Sequence, residues 1–431
     1  MTMRGILKAL AVLVVLGGAA AGSVFFGLFE RSVVTRAVDQ PLSADEMKRL
    51  AARGAYIATA ADCYACHTAK DGAPWAGGLP FETPFGTIYA TNISPHREMG
   101  IGNWTRAEFH RAVRDGVGRG GVHLYPAMPY ASYRLMTEAD VDAVYAYLMT
   151  REPMAVPNGP NGLGFPFNIR QSLTFWNLVN LSAKTDIAVA GRSALWNRGR
   201  YVVDALGHCG ECHTPRNLMQ GMEPSAYLRG AVIEGVEAPD ITKPGLIAMG
   251  FDPVSLARFM KTGLSAQGSM TNQMFEVVHF STQYMSDDDL KAMSAYLFDL
   301  DTVPDTATPP PPPAPAEVPQ AVASAGRATY LNLCAGCHGS AGEGIPHVAV
   351  PMATNASLRL VNARNFLHTT LNGIPAQSFP GLERMQPMPG FADKLDDRAV
   401  ADLANWMRAR WGGRAPDVTP EAVAAMRHRG H

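Results

Sequence analysis

All six cysteines of this 431-residue chain lie in three copies of one pentapeptide. The copies are Cys63-Tyr-Ala-Cys66-His67, Cys209-Gly-Glu-Cys212-His213 and Cys334-Ala-Gly-Cys337-His338. A redox dithiol or half of a zinc site also uses paired cysteines, whereas a disulfide scaffold places cysteines outside such pairs. Three identical spacings, each followed by histidine, with no cysteine elsewhere, favour one repeated cofactor site over these alternatives.

The Cys-x-x-Cys-His spacing is typical of covalent haem c attachment. Two thiols three residues apart can each form a thioether with one vinyl group of the same porphyrin, and the histidine that follows can ligate the iron. We therefore predict three covalently bound haems c. The predicted thioether residues are Cys63, Cys66, Cys209, Cys212, Cys334 and Cys337, and the predicted iron ligands on this side are His67, His213 and His338.

A helical frame recurs around each motif. A glycine and an aromatic precede it, as in Gly54 and Tyr56, and a segment with acidic residues in its first turn closes each repeat. Thr137 and Ser286 are predicted N-caps of two of these closing helices, which we expect to cross the helices before the motifs. The sequence predicts a mainly α fold with three class I cytochrome c-like haem domains in tandem. Their predicted bounds are 45–152, 191–303 and 321–415.

The sixth iron ligands are predicted from intervals along the chain. Methionine is a common sixth ligand because its thioether favours the reduced iron. Met128 and Met274 each lie 65 residues after the first cysteine of their motif, and Met388 lies between two prolines, 54 residues after Cys334. Prolines stiffen such a loop. The rival methionines are Met270, Met285 and Met385, and ligation by His123, His279, His347 or His368 is the remaining alternative.

The N-terminus carries an apolar run over residues 9–29, preceded only by the charges of Arg4 and Lys8. As a helix this run would span about 31 Å, enough to cross a bilayer. We predict that residues 1–31 contain an uncleaved transmembrane helix with its N-terminus in the cytoplasm. The alternative is a signal peptide cut after the small residues at 19–21.

Two connecting segments separate the predicted domains. Residues 304–320 include five consecutive prolines at 309–313, which predicts an extended linker that lets the third domain dock separately. Residues 153–190 form a crossover in which Phe165, Phe167, Phe175 and Trp176 are expected to bury against the haem domains. The formal net charge of −1 argues against a nucleic-acid partner.

These motifs, together with Thr83-Pro-Phe-Gly-Thr-Ile-Tyr-Ala-Thr-Asn92, Tyr125-Pro-Ala-Met-Pro-Tyr130 and Cys212-His-Thr-Pro-Arg216, mark a family resemblance. Over roughly residues 45–415 the chain resembles the triheme cytochrome c subunits of membrane-bound, quinone-reducing aldehyde, alcohol and gluconate dehydrogenases of acetic acid bacteria. The family's axial methionines fall on Met128, Met274 and Met388. Within the 83–92 stretch, Thr91 and Asn92 are candidate hydrogen-bonding partners of a haem propionate.

The resemblance implies an electron-transfer subunit that is itself not catalytic towards substrate. Such a subunit takes electrons from a periplasmic catalytic subunit and passes them to ubiquinone, with its haem domains facing the periplasm from the inner membrane. The stretch 379–391 is similar to cytochromes beside molybdopterin aldehyde dehydrogenases, which favours that partner. The alternatives are a PQQ alcohol dehydrogenase or a flavin gluconate or fructose dehydrogenase and, in another class, a free multihaem shuttle or a haem peroxidase.

Overall fold

The computed structural model describes residues 16–19, 22–23, 32–183 and 185–427, and the chain folds into two compact units. Unit 1 comprises the described residues up to Ile187 together with Asp204–His208 and Leu218–Gly221. Unit 2 comprises Ala188–Val203, Cys209–Asn217 and the described residues from Met222 onward. Within these described ranges, no helix is long and apolar enough to cross a membrane. The predicted anchor, residues 9–29, lies outside the described residues except for 16–19 and 22–23.

Unit 1 is mainly helical and carries a small antiparallel sheet. Its helices are α1 (Ala44–Ala60), α2 (Cys63–Cys66), α3 (Arg106–Asp115), α4 (Tyr130–Tyr133), α5 (Glu138–Met149) and α6 (Leu173–Asn180). Its strands are β1 (Pro80–Thr83), β2 (Gly86–Tyr89), β3 (Val117–Gly118), β4 (Val122–His123) and β5 (Gly162–Leu163). The strand order in the three-stranded sheet is β1-β2-β5, with Pro80 opposite Tyr89 and Gly86 opposite Leu163, and β3 pairs with β4.

Helices α1 and α5 pack closely because a glycine lies at their crossing. A Cβ atom on Gly54 would lie 1.8 Å from the Ala143 carbonyl oxygen, so only glycine allows this approach. Capping sets where each helix begins: Ser43 and Glu46 form a capping box, and the Thr137 side chain accepts from the Asp140 amide. The predicted helix crossing and the predicted Thr137 cap are therefore both present.

The crossover aromatics correct one expectation. Of the four, only Trp176 is buried, whereas Phe165, Phe167 and Phe175 are 81%, 43% and 53% exposed. The prediction that all four bury is wrong for the three phenylalanines. For Phe175 the physical reason is helical periodicity, since α6 turns Leu173 and Trp176 inward and Phe175 outward. Phe165 and Phe167 lie before this helix, and Phe167 packs on the ring of Phe85.

Unit 2 contains two helical groups and several hairpins. Its helices are α7 (Ala194–Arg200), α8 (Gly210–His213), α9 (Lys243–Met249), α10 (Pro253–Thr262), α11 (Gln273–Phe280), α12 (Asp287–Leu297), α13 (Gln320–Leu333), α14 (Ala335–His338), α15 (Ala356–Arg359), α16 (Arg364–Asn372), α17 (Asp397–Gly412) and α18 (Pro420–Arg427). A π-helical turn at Tyr201–Leu206 begins in unit 2 and ends in unit 1. Its strands pair as hairpins: β6 (Ala231–Ile233) with β7 (Val236–Ala238), β8 (Leu264–Ser265) with β9 (Gly268–Ser269), and β10 (Gln377–Phe379) with β11 (Glu383–Met385).

The glycine crossing of unit 1 recurs twice in unit 2. A Cβ atom on Gly199 would lie 1.8 Å from the Ala292 carbonyl oxygen, where α7 crosses α12. A Cβ atom on Gly326 would lie 2.4 Å from the Asp402 carbonyl oxygen, where α13 crosses α17. The predicted cap is present as well, since the Ser286 side chain accepts from the Asp289 amide. Each Cys-x-x-Cys-His motif therefore follows the first helix of one such crossing pair in the chain, while the division into three haem domains stays a prediction.

The two helical groups of unit 2 pack against each other. The Asn365 side chain of α16 accepts from the Glu237 amide at 2.7 Å and donates to the Glu237 carbonyl at 2.8 Å, which ties it to β7. The Ala356 amide donates to the Gln267 carbonyl at 2.8 Å. In the proline-rich linker, the Ala316 amide donates to the Ala409 carbonyl of α17 at 2.9 Å. The expectation that the third domain docks separately is wrong, because the hydrogen bonds of Asn365 with Glu237 and of Ala356 with Gln267 join it to the second.

Candidate haem sites

Each Cys-x-x-Cys-His motif forms one short helical turn directly after a long helix or the π-helical turn. The turns are α2 in unit 1 and α8 and α14 in unit 2, and each histidine lies at or just after the turn's last residue. This geometry places the paired cysteines of each motif one helical turn apart on the same side.

Each of the three histidines makes the same kind of hydrogen bond to a backbone carbonyl. The Nδ1 atom of His67 lies 2.7 Å from the Thr91 carbonyl oxygen, that of His213 lies 2.7 Å from the Pro239 carbonyl oxygen, and that of His338 lies 2.8 Å from the Val350 carbonyl oxygen. Since a carbonyl oxygen can only accept, each Nδ1 donates its proton. The lone pair of each ring is therefore on Nε2, the atom available to bind iron.

Burial keeps these imidazoles neutral. It lowers the pKa of His67, His213 and His338 below the usual value, and the hydrogen bond to the carbonyl opposes it only in part. A neutral ring with a fixed tautomer is the form that ligates a metal.

Three of the cysteine thiols have a raised pKa, whereas reactive dithiols have a lowered one. Burial raises the pKa of Cys63 to about 12 and that of Cys334 to about 11, and it also raises the pKa of Cys212. A redox-active Cys-x-x-Cys pair instead has a lowered thiol pKa. The surroundings of these cysteines therefore disfavour the redox-dithiol alternative.

The residues at all three sites fit a covalently attached haem. The paired cysteines can supply two thioethers, and each histidine presents a free Nε2 because its Nδ1 is already committed to a backbone carbonyl. This orientation of the histidine is the observation that carries the assignment, since it is the same at all three motifs.

Met128 lies in a loop that is fastened to the first motif. The hydroxyl of Tyr133, one helical turn further on, donates to the Ala61 carbonyl at 2.5 Å, two residues before Cys63. Met128 is half-buried and packs on a small core of Tyr130, Leu173 and Trp176. The loop is thus held beside the motif.

Met274 differs from its rivals in its exposure. It is half-buried as the second residue of α11, whereas Met270 and Met285 are core residues with 7% and 2% exposure. A methionine embedded in the protein core is less free to reach a bound cofactor. This difference in exposure favours Met274 over Met270 and Met285, as the equal 65-residue intervals also do.

Two backbone hydrogen bonds with Ile374 fix the position of Met388. Its amide donates to the Ile374 carbonyl and its carbonyl accepts from the Ile374 amide, each at 2.9 Å. The rival Met385 belongs to β11 and lies opposite Gln377. These two methionines therefore occupy different, separately fixed stretches of backbone.

Three of the alternative histidine ligands are engaged elsewhere or lie at the surface. His347 is exposed and pairs with Glu383 at 2.7 Å. His279 is exposed and stacks on Phe275, and the Nδ1 atom of His368 lies 3.2 Å from the side-chain nitrogen of Asn372. These contacts disfavour distal histidine ligation by His279, His347 and His368.

In the 83–92 stretch, Thr91 and Asn92 make hydrogen bonds within the protein. The Thr91 carbonyl orients His67, and the buried Asn92 amide donates to the Met154 and Val156 carbonyls while its oxygen accepts from Ser94. The amide of Asn92 is therefore occupied within the protein and does not fit the expected propionate contact.

The orienting carbonyls at Thr91, Pro239 and Val350 were not predicted from the sequence. They lie 24, 26 and 12 residues after their histidines, and a backbone oxygen leaves no mark on residue type. For two of these three carbonyls the sequence offers a proline as the only signal. Pro239 is itself the acceptor residue, and Pro351 follows the acceptor residue Val350.

Residues 51–152 and 323–411 match the cytochrome c family. The chain is 35% identical to the fructose dehydrogenase cytochrome subunit of Gluconobacter japonicus, over 91% of this chain and 85% of that protein. It is also 35% identical to the cytochrome c subunit of the alcohol dehydrogenase (quinone) of Gluconacetobacter polyoxogenes, over 90% of this chain and 86% of that protein.

A further relative is much longer. The chain is 39% identical, over 84% of its length, to a subunit of the nicotinate dehydrogenase of Pseudomonas putida, and it spans only 30% of that subunit.

Proposed function

The chain belongs to the family of cytochrome c subunits of bacterial dehydrogenases, and from this membership we propose that it carries electrons from a catalytic dehydrogenase subunit to ubiquinone. We propose three covalently bound haems c, one at each Cys-x-x-Cys-His motif. Each bound haem would take up and release single electrons at its iron. The chain's own residues hold, orient and shield that group.

The observation that carries this proposal is the shared orientation of the three histidines. In each site a neutral imidazole donates from Nδ1 to a backbone carbonyl and presents Nε2. This contact fixes both the tautomer and the ring plane, so each histidine is preorganised for iron before the group is attached.

On the opposite side we propose Met128, Met274 and Met388 as the sixth ligands. The supports are the equal intervals after the motifs, the double backbone contact of Met388 with Ile374, and the core burial of Met270 and Met285. A sixth ligand closes the iron to small molecules, which suits electron transfer and not peroxidase chemistry.

For the catalytic partner we propose a molybdopterin aldehyde dehydrogenase. The support is the similarity of residues 379–391 to cytochromes beside such enzymes. A PQQ alcohol dehydrogenase is the second candidate, supported by the 35% identity to an alcohol dehydrogenase cytochrome subunit over nearly the whole chain. The cofactor of the partner separates the two.

We also propose that residues 9–29 anchor the chain in the inner membrane, with the haem domains in the periplasm. The support is the length of the apolar run and the requirement that covalent haem c be attached outside the cytoplasm. Ubiquinone dissolves in that membrane, so the anchor would keep the chain beside its electron acceptor.

The test is reconstitution of the complex with and without this chain. A tag on the chain is used to purify the native complex, and the bound cofactor of the copurified subunit is identified. The complex should reduce ubiquinone with its substrate, whereas the catalytic subunit alone should reduce only an artificial dye. Equal ubiquinone reduction by the catalytic subunit alone would refute the proposed role.

A further inference from the structure

We infer that the outward face of α6 in unit 1 rests in the lipid surface of the membrane. This inference relies on the proposed membrane location and adds to it a second contact, separate from residues 9–29. The face is defined here as the α6 face and consists of Phe175, Leu178 and Val179.

The α6 face is apolar and uncovered within the part of the chain that the structure describes. Phe175, Leu178 and Val179 recur at helical spacing and are 52–54% exposed, while Leu173, Trp176 and Asn177 on the other side of α6 are buried. Phe165 and Phe167, which precede the helix in the chain, are 81% and 43% exposed as well.

Almost no charge accompanies this face. Residues 153–183 contain a single charged side chain, Arg170. Its guanidinium is turned away, since it lies 4.6 Å from the centre of the Tyr125 ring and donates to the His123 carbonyl at 2.7 Å. Uncharged side chains carry a smaller free-energy penalty for leaving water than charged ones.

The N-terminal segment joins unit 1 at a point that hydrogen bonds and packing link to the inner side of α6. The Ser32 hydroxyl and the Val33 amide both donate to the Asp115 carboxylate, at 2.5 and 3.1 Å. The adjacent Gly116 packs against the ring of Tyr130, whose hydroxyl donates to Asn177 of α6 at 2.9 Å. One buried tyrosine therefore links the end of the predicted anchor to α6.

Further hydrogen bonds hold the residues that follow the predicted anchor against unit 1. Thr35 donates to the Glu138 carboxylate through its amide and its hydroxyl, at 3.0 and 2.9 Å, and Arg106 donates to the carbonyls of Ala37 and Gln40. A helix ending at residue 31 would therefore hold this part of unit 1 at the bilayer surface. An uncharged apolar face at that position fits lipid better than water.

The experiment uses the full chain in its native complex, reconstituted in vesicles of phosphatidylethanolamine and phosphatidylglycerol. Leu178→Cys is labelled with a nitroxide, which the haem-linked cysteines cannot take up. Collisions with oxygen, which concentrates in lipid, are compared with collisions with a water-soluble nickel chelate. The control is Val232→Cys, since Val232 is 52% exposed and lies in unit 2.

We expect the oxygen-to-nickel ratio at position 178 to be several-fold higher than at position 232. Phe175→Asp should bring the ratio at 178 down towards the control value, because a carboxylate resists transfer into lipid, and Val232→Asp should not. A label at 178 that is open to nickel would overturn the inference. A label closed to both probes would overturn it too, because a protein surface or residues 9–29 would then cover the face.

The same samples keep this inference separate from the proposed function. Haem spectra and substrate-dependent haem reduction report electron transfer, whereas the nitroxide reports position alone. A water-exposed label in a complex that still reduces ubiquinone would refute only the lipid contact.

Discussion

Gly199→Ala tests the packing that surrounds the second motif. The added Cβ atom would lie 1.8 Å from the Ala292 carbonyl oxygen and 2.9 Å from the Tyr296 Cβ atom, whereas ordinary contact begins at 3.4 Å. Helices α7 and α12 must therefore move apart by about 1.6 Å, and they lose side-chain contacts along the crossing. Overpacking of this kind destabilises a protein by roughly 1–3 kcal/mol. Because the contacted atom is backbone and cannot rotate away, we expect about 3 kcal/mol, even after the better helix propensity of alanine.

The assay is thermal unfolding of the haem-loaded chain, followed by far-UV circular dichroism. A loss of about 3 kcal/mol should lower the midpoint of unit 2 by roughly 6–12 °C. Gly164→Ala is the matched control, because Gly164 lies outside the haem motifs and nothing approaches within 4 Å of its added Cβ atom. It should leave the midpoint unchanged or raise it slightly. Equal midpoints for the two variants would refute the close-crossing argument.

Further predictions address the sites and the stability of unit 1. Met388→Ala should leave its haem attached but lower that haem's reduction potential and open it to CO, whereas Met385→Ala should do neither in a redox titration; the reverse result would assign the ligand to Met385. Pyridine haemochrome analysis should give three haems per chain, and two would contradict the loading of every motif. Burial raises the pKa of Asp142, but hydrogen bonds from His110 and Arg106 outweigh it, so the net pKa is below its usual value. This stabilisation is present above the ordinary aspartate pKa and is lost as pH falls through the lowered one. Asp142→Asn should therefore lower the denaturant midpoint at pH 7 and reduce its fall towards acid, and parallel pH profiles for variant and wild type would argue against this ion pair.

The helix caps and helix crossings around the motifs were predictable from the sequence, because their signals lie in residues close together in the chain. Thr137 and Ser286 cap their helices as their residue types indicate, because a hydroxyl before an acidic first turn satisfies free amides. The glycine before each motif also proved to mark a helix crossing. Both signals depend on a few neighbouring residues, so one chain suffices to recognise them.

The features that were not predicted depend on contacts between distant segments. The carbonyls that orient His67 and His213 are backbone atoms, which every residue type has. The docking of the proline-rich linker on α17 and the bond between Asn365 and Glu237 join segments far apart in sequence. The exposure of Phe175 was missed because an aromatic residue was assumed to be buried, although helical periodicity placed it opposite Trp176.

The central claim is that electrons from a catalytic subunit pass through this chain to ubiquinone. The most direct measurement is stopped-flow absorbance of the native complex, with the haem α band followed after substrate is added and again after ubiquinone is added. We predict that substrate reduces all three haems and that ubiquinone then reoxidises them at a rate matching steady-state turnover. Haems that stay oxidised while the same complex reduces ubiquinone would contradict this claim.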